Sequence, residues 1–410
     1  ARGYLQGHKY IQPSSMSQMI EQIVRILVII FGSFFIIKIL HKSVSLGVAV
    51  AVAGAFVGGL AAIIYIARKI FTHKKQLSLD RKLERDNISN KEILKKICSY
   101  AIPFVIINLT VNIYNTVDMS LIIRTLSSIG YSGADAEFVA GVITTWGYKL
   151  NMIVTAVATG LTVSLIPNIV SAYTLKKYDK VNKIFNKALQ IILFISIPAA
   201  FGLSFLSYPV WNVFYGIDAY GPTVFKLSII TAIFCNFYLI AIQTAQSVNK
   251  YKIVYIAVIT GFLTNALMDV PLMLLCNKIG LPPYYGASFA TILGYTIAIV
   301  IVLASMKKIK GINYGETWKM LFKTIGALIA MLVVLSLLNI VYPFHTSTKM
   351  WSIIDIAIYA LVGATIYLFL MYKMGIIKDL FGQKVIDRVL KIITLGHYKA
   401  KETHDDTEED

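Results

Sequence analysis

The sequence predicts an all-α polytopic membrane protein of about ten transmembrane helices, and three observations carry that expectation. The 410 residues are 57% hydrophobic and only 15% charged, with a mean hydropathy of +0.69, whereas soluble domains carry about 25% charge. Charge-free runs at Ser43–Ala67, Ala188–Ile217, Leu227–Asn249, Ile279–Met306 and Thr324–Thr348 each reach the ~20 residues a helix needs to cross ~30 Å of hydrocarbon. The charges that do exist fall between such runs, concentrated at every second connection. A chain this rich in Leu, Ile, Val and Phe is not disordered. The net charge of +18 does not point to nucleic acid, because phosphate binding needs basic residues gathered on one accessible face.

Taken in order, the expected spans are 19–40, 45–67, 97–122, 140–171, 184–206, 225–247, 253–276, 285–306, 323–343 and 352–372. With the N-terminal segment on the cytoplasmic side, 31 Lys and Arg lie on inner segments, five on outer edges and three (Arg25, Lys149, Lys226) within spans. By the positive-inside rule both ends of the chain are expected in the cytoplasm. Cys98, Cys235 and Cys276 lie in or beside separate spans with no CxxC spacing, so neither a disulfide framework nor a zinc site is expected.

The organisation expected is 1–67 as one bundle of two spans, 68–96 as a charged cytoplasmic linker, 97–306 as a second bundle, 307–372 as two additional spans and 373–410 as a cytoplasmic end. Within that end, Ile376, Ile377, Leu380, Val385, Val389 and Ile392 recur at helical spacing opposite Lys378, Lys384, Arg388 and Lys391, the pattern of a basic amphipathic helix on the inner leaflet. The last ten residues, KETHDDTEED, read as an acidic solvated tail. A faint repeat pairs Tyr4-Leu5-Gln6-Gly7-His8-Lys9-Tyr10 with Ala245-Gln246-Ser247-Val248-Asn249-Lys250-Tyr251, each followed two spans later by a Gly-Ala-rich helix, Gly54-Ala55-Phe56 and Gly286-Ala287-Ser288. Two related bundles with a site between them are a common transporter build.

Ionisable groups inside spans are costly and so mark candidate sites. Glu21 and Arg25 stand at i and i+4 near the inner end of the first span and are either substrate-contacting charges or an ordinary interfacial ion pair. Lys226 and Asp355 sit near span ends. Lys149 lies deeper, ~14 Å from the nearest start of its span at 1.5 Å per residue, within Thr144-Thr145-Trp146-Gly147-Tyr148-Lys149-Leu150-Asn151. It is expected to meet an anion: either a ligand held with Tyr148 and Asn151, or Asp118 or Asp269 as a structural partner. Asp118 follows Asn108, Asn112 and Asn115 on one helix, Asn265 and Asp269 share a helix face, and Thr291 stands four residues after Ala287. Carboxylate, amide, hydroxyl and carbonyl oxygens are hard ligands suited to an alkali cation or a proton relay; the alternative is a buried network that fixes packing.

The six histidines fall in loops or at span ends without HxxH or HExxH company, and there is no Walker A sequence and no GxSxG elbow. Metalloprotease, ATPase and serine-hydrolase chemistry are therefore not expected, and the chain is not read as an enzyme.

The segment RGYLQGHKYIQPSSMSQMIEQIVRI resembles the inner loop before the fifth span of the polysaccharide-biosynthesis, stage-V-sporulation-protein-B-like branch of the MOP exporter superfamily, which contains the MurJ-type lipid II flippases. Asn265-x-x-x-Asp269-x-x-Leu272, Gly286-Ala287-Ser288-x-Ala290-Thr291 and Trp146–Lys149 followed by Leu165-Ile166-Pro167 fit the same pattern. The resemblance implies the remainder of a two-lobed, 14-helix MOP transporter with its first four spans missing, as either a truncated product or a fragment. It implies a lipid-linked cell-wall precursor such as lipid II as cargo, with Lys149 at a cationic cavity position. It implies Asp118, Asn265, Asp269, Thr291 and the Ala287 carbonyl as a Na⁺ or H⁺ site. No other cofactor, no nucleic acid, a monomer, and a bacterial cytoplasmic membrane with an undecaprenyl-linked glycolipid and membrane lipids as partners complete the expectation. An ion-coupled drug or metabolite antiporter of the same superfamily, an exporter of another lipid-linked polysaccharide, and a non-transporting membrane scaffold are the alternatives.

Overall fold

The computed structural model describes residues 2–7, 11–72, 89–309 and 312–383, and among them every regular element is helical. Nine helices are long and apolar enough to span a membrane among the described residues. The tenth expected span, 97–122, falls inside a 39-residue helix, Asn90–Ser128, most of whose side chains between 99 and 112 lie outside the described set. Most of the linker, the second half of the expected amphipathic helix and the acidic tail also lie outside it. The chain divides into two compact units, residues 1–94 and 95–410.

In the first unit, α1 (Arg2–Gly7) precedes α2 (Ile11–Leu27), which continues through two π turns, Val28–Gly32 and Phe35–Ile39, before α3 (Val44–Thr72) returns antiparallel to it. One stripe of α3, comprising Gly47, Gly54, Gly58, Ala62 and Ile66, is buried. The reason is close approach: a β-carbon on Gly58 would lie 2.6 Å from the Glu21 carbonyl of α2. Small residues at four-residue spacing are how helices associate in lipid, where hydrophobic burial offers no driving force. Phe31, Phe34, Val52 and Phe56 stay exposed, as lipid-facing side chains do. The expected Glu21–Arg25 pair does not form. Glu21 pairs instead with Arg2 of α1, whose Nε also donates to Ser17 Oγ at 2.8 Å. A side chain arriving from a neighbouring helix outcompetes the i+4 partner.

The second unit runs α4 (Asn90–Ser128, mostly in this unit), α5 (Gly133–Gly141), a π turn at Val142–Trp146, α6 (Gly147–Thr174), α7 (Tyr178–Phe205), α8 (Ser207–Tyr215), α9 (Gly221–Ser228), α10 (Thr231–Ser247), α11 (Tyr251–Lys278), α12 (Tyr284–Lys307), α13 (Gly315–Val341), α14 (Lys349–Lys373) and α15 (Ile376–Phe381). The stretch between the fifth and sixth expected spans is thus two short helices. α11 and α12 form the tightest hairpin: a β-carbon on Gly286 would lie 2.2 Å from the Met273 nitrogen, and one on Gly294 2.7 Å from the Gly261 carbonyl. The glycine helices of both units therefore pack by the same device, close backbone approach at small residues.

Buried amides tie the other helices. Asn236, fully buried, donates to Val154 O at 2.9 Å and Ser196 Oγ at 2.8 Å, joining α10 to α6 and α7. Asp355 does not snorkel; it is fully buried and accepts from the His345 backbone N–H at 2.6 Å. Lys226 is exposed, as expected. α13 and α14 pack on α7 within the same unit.

α7 contains Pro198, which has no N–H to give to the carbonyl four residues back. That carbonyl, Phe194 O, accepts instead from the Tyr367 hydroxyl of α14 at 2.9 Å. In lipid an orphaned carbonyl finds no water, so Tyr367→Phe is expected to lower stability by about 1–2 kcal/mol. Thermal unfolding in nanodiscs measures it, and an unchanged midpoint would mean the carbonyl has another donor.

Candidate functional site

The polar cluster expected from the sequence assembles on three helices. α4 supplies Asp118, α11 supplies Asn265 and Asp269 one turn apart, and α12 supplies Ala287 and Thr291 one turn apart. Asn265 Nδ2 donates to Asp118 Oδ1 at 2.6 Å. Asp269 lies beside both Asp118 and Asn265, yet no donor reaches either of its carboxylate oxygens, nor does one reach Asn265 Oδ1. Asn265 and Asp269 are fully buried and Asp118 is 6% exposed. The Thr291 hydroxyl donates to Ala287 O at 3.0 Å; this uses the proton and leaves lone pairs on both oxygens.

Two neighbouring carboxyls at this depth with one amide between them are not balanced. Desolvating a carboxylate costs several kcal/mol unless it is paired, so the pair demands a compensating proton or metal cation. The orphaned oxygens of Asp269 and Asn265, with Asp118, Thr291 and the Ala287 carbonyl, fit a hard monovalent cation by donor chemistry. Among the described residues no three His, Cys, Asp or Glu side chains gather as a softer metal site would need.

Beside this cluster lies a cavity of about 50 Å³, lined among others by Asn115, Asp118, Thr144, Tyr148, Asn151 and Thr291. A cavity of this size has room for an ion or a few waters. The π turn at Val142–Trp146 carries Thr144 of the lining, and Tyr148 follows one turn later on α6. The Tyr215 hydroxyl holds that turn by donating to Trp146 O at 3.0 Å.

The expected headgroup residues separate. Asn151 is buried and donates to Ser228 O at 3.2 Å, so it joins α6 to α9 besides lining the cavity. Tyr148 lines the cavity and is 37% exposed. Lys149 is exposed on the surface of its unit, not buried, and no ion pair joins it to Asp118, Asp269 or any other described residue. Glu21 and Arg25 belong to the first unit. Asn115 and Thr144 were not foreseen as cavity residues. The helical spacing of Thr144 from Tyr148 carried that signal, but the π turn between them was not visible.

The family model for polysaccharide biosynthesis proteins matches residues 1–171. A lipid II flippase, MurJ of Bacillus subtilis (strain 168), is 27% identical over 94% of this chain and 71% of its own length. The chain is thus similar to polysaccharide biosynthesis proteins over its first 171 residues and to this flippase over most of its length. Another relative in the same bacterium, stage V sporulation protein B, is 22% identical over 92% of this chain and 70% of its own. The solved structure of lipid II flippase MurJ in its inward closed conformation aligns with a TM-score of 0.60 at 19% identity, over 91% of this chain and 69% of that one. The likeness shows a multi-pass helical membrane fold of the kind solved for that flippase.

Proposed function

We propose that the protein is a flippase that carries a lipid-linked cell-wall precursor, lipid II foremost, from the inner to the outer leaflet by alternating access, with both ends of this chain in the cytoplasm. The observation that carries this reading is Lys149, a cation exposed within a membrane-spanning helix and left without an ion pair by the described residues. Such a charge is retained within a span to meet a charged cargo, and the relative that this chain resembles over 94% of its length is a lipid II flippase; a pyrophosphate on that lipid would be the group Lys149 meets. Lys149 pairs with that diphosphate while the lipid tail remains in the bilayer. The Asp118–Asn265–Asp269 cluster holds the coupling cation or proton, which supplies the charge that lets both carboxyls stay buried. Such an ion biases one access state only by its differential affinity for the two.

The test is complementation of cells depleted of their own lipid II flippase. Rescue of growth, with labelled lipid II becoming accessible at the outer leaflet, is the expected result. Failure despite normal membrane insertion would transfer the reading to another lipid-linked polymer or to an antiporter.

A further inference from the structure

At the end of the second unit where α7 and α13 both begin, two cavities of about 520 and 490 Å³ share Gln190, Glu316 and Asp379 in their linings and so form one cleft. One wall is a stripe of α7, where Lys183, Lys187 and Gln190 recur at helical spacing. The facing wall is a stripe of α13, where Glu316, Lys319 and Lys323 do the same. On α15, Ile376 and Leu380 are buried in the floor and Asp379 stays exposed.

Lys183, Lys187 and Lys319 are exposed, and no ion pair joins them to Glu316, Asp379 or any other described residue. Lys323 reaches only the Met374 carbonyl, at 3.5 Å. The walls are tied to each other by a separate network: Asn186 donates to Asn313 O at 2.9 Å, and Thr317 donates to Asn186 Oδ1 at 2.6 Å. The cleft is therefore built, and its ammonium groups are not consumed in building it.

Four cations facing two carboxylates suit a ligand with an anionic centre and nearby hydroxyl or ammonium donors. The volume suits a headgroup, since small-molecule sites span ~300–1,000 Å³. The cleft opens where the charged first turns of α7 and α13 meet their apolar lengths, the level of lipid phosphates, and basic pockets between helices at that level hold anionic headgroups. We propose that this cleft binds a phosphate ester, carried by an anionic membrane lipid or free in solution, at a site separate from the Asp118–Asp269 cluster and from Lys149.

The full chain is reconstituted in nanodiscs of phosphatidylcholine with increasing phosphatidylglycerol, and in phosphatidylcholine alone with glycerol phosphate, and its unfolding midpoint is followed. The midpoint is expected to rise in at least one series. Lys187→Gln with Lys319→Gln is expected to weaken the apparent affinity roughly tenfold or more, whereas Lys252→Gln with Lys307→Gln, which removes equal charge outside the cleft, leaves it unchanged. A rise with lipid only assigns the ester to the bilayer, and one with glycerol phosphate assigns it to a soluble ligand. No rise in either series, or equal weakening by both variant pairs, overturns the proposal.

Discussion

Lys149→Ala is expected to abolish rescue of flippase-depleted cells, and Lys149→Arg to retain most of it, with neither change moving the unfolding midpoint. Lys149 is exposed on its unit and makes no ion pair with the described residues, so removing it strands no buried partner. Its worth lies in the cargo contact. A charge-assisted contact to a phosphate is worth about 1.5–3 kcal/mol, which converts to a ~10–100-fold fall in apparent affinity for the loaded state. Arg keeps the charge and presents its donors as a planar fork that can grip a phosphate with two of them. Equal rescue by wild type and Lys149→Ala would remove Lys149 from the site, and a lowered midpoint would assign it to packing.

Asp269→Asn is expected to divide the two readouts, raising stability and abolishing transport. In the native chain Asp269 adjoins Asp118, and no donor reaches its oxygens. The amide removes one of two neighbouring buried charges and brings an N–H that can donate to Asp118, stabilising the fold by about 1–3 kcal/mol without added cation. The charge that recruits the coupling ion goes with it. The wild-type midpoint is expected to rise either with Na⁺ against choline at equal ionic strength or as pH falls, and the one that acts names the coupling ion. In Asp269→Asn both responses vanish. A wild-type midpoint indifferent to Na⁺ and to pH would return the cluster to a packing role.

The spans were legible because a helix in lipid must be apolar for some 20 residues, a constraint written directly into composition. The cluster was legible for a similar reason: Asn265 and Asp269 are conspicuous on an apolar helix, and i, i+4 spacing fixes their common face. Lys149 is exposed where a buried cation was expected, since exposure depends on which face of a helix its neighbours cover. The pairing of Glu21 with Arg2 was out of reach because it joins two helices. The division of 207–224 into α8 and α9 was hidden inside a stretch too short and too broken by Gly216 and Pro222 to show a period.

The glycine contacts between α11 and α12 decide how an ion could be sensed. Four of the five candidate oxygen donors, those of Asn265, Asp269, Ala287 and Thr291, stand on a hairpin whose backbones touch at Gly286 and Gly294. Their helices cannot slide apart without losing that contact, so the hairpin behaves as a fixed jaw. The fifth donor, Asp118, comes from α4, the helix that continues in sequence from the segment joining the two units. An ion held by all five oxygens would therefore join α4 to the α11–α12 hairpin inside one unit.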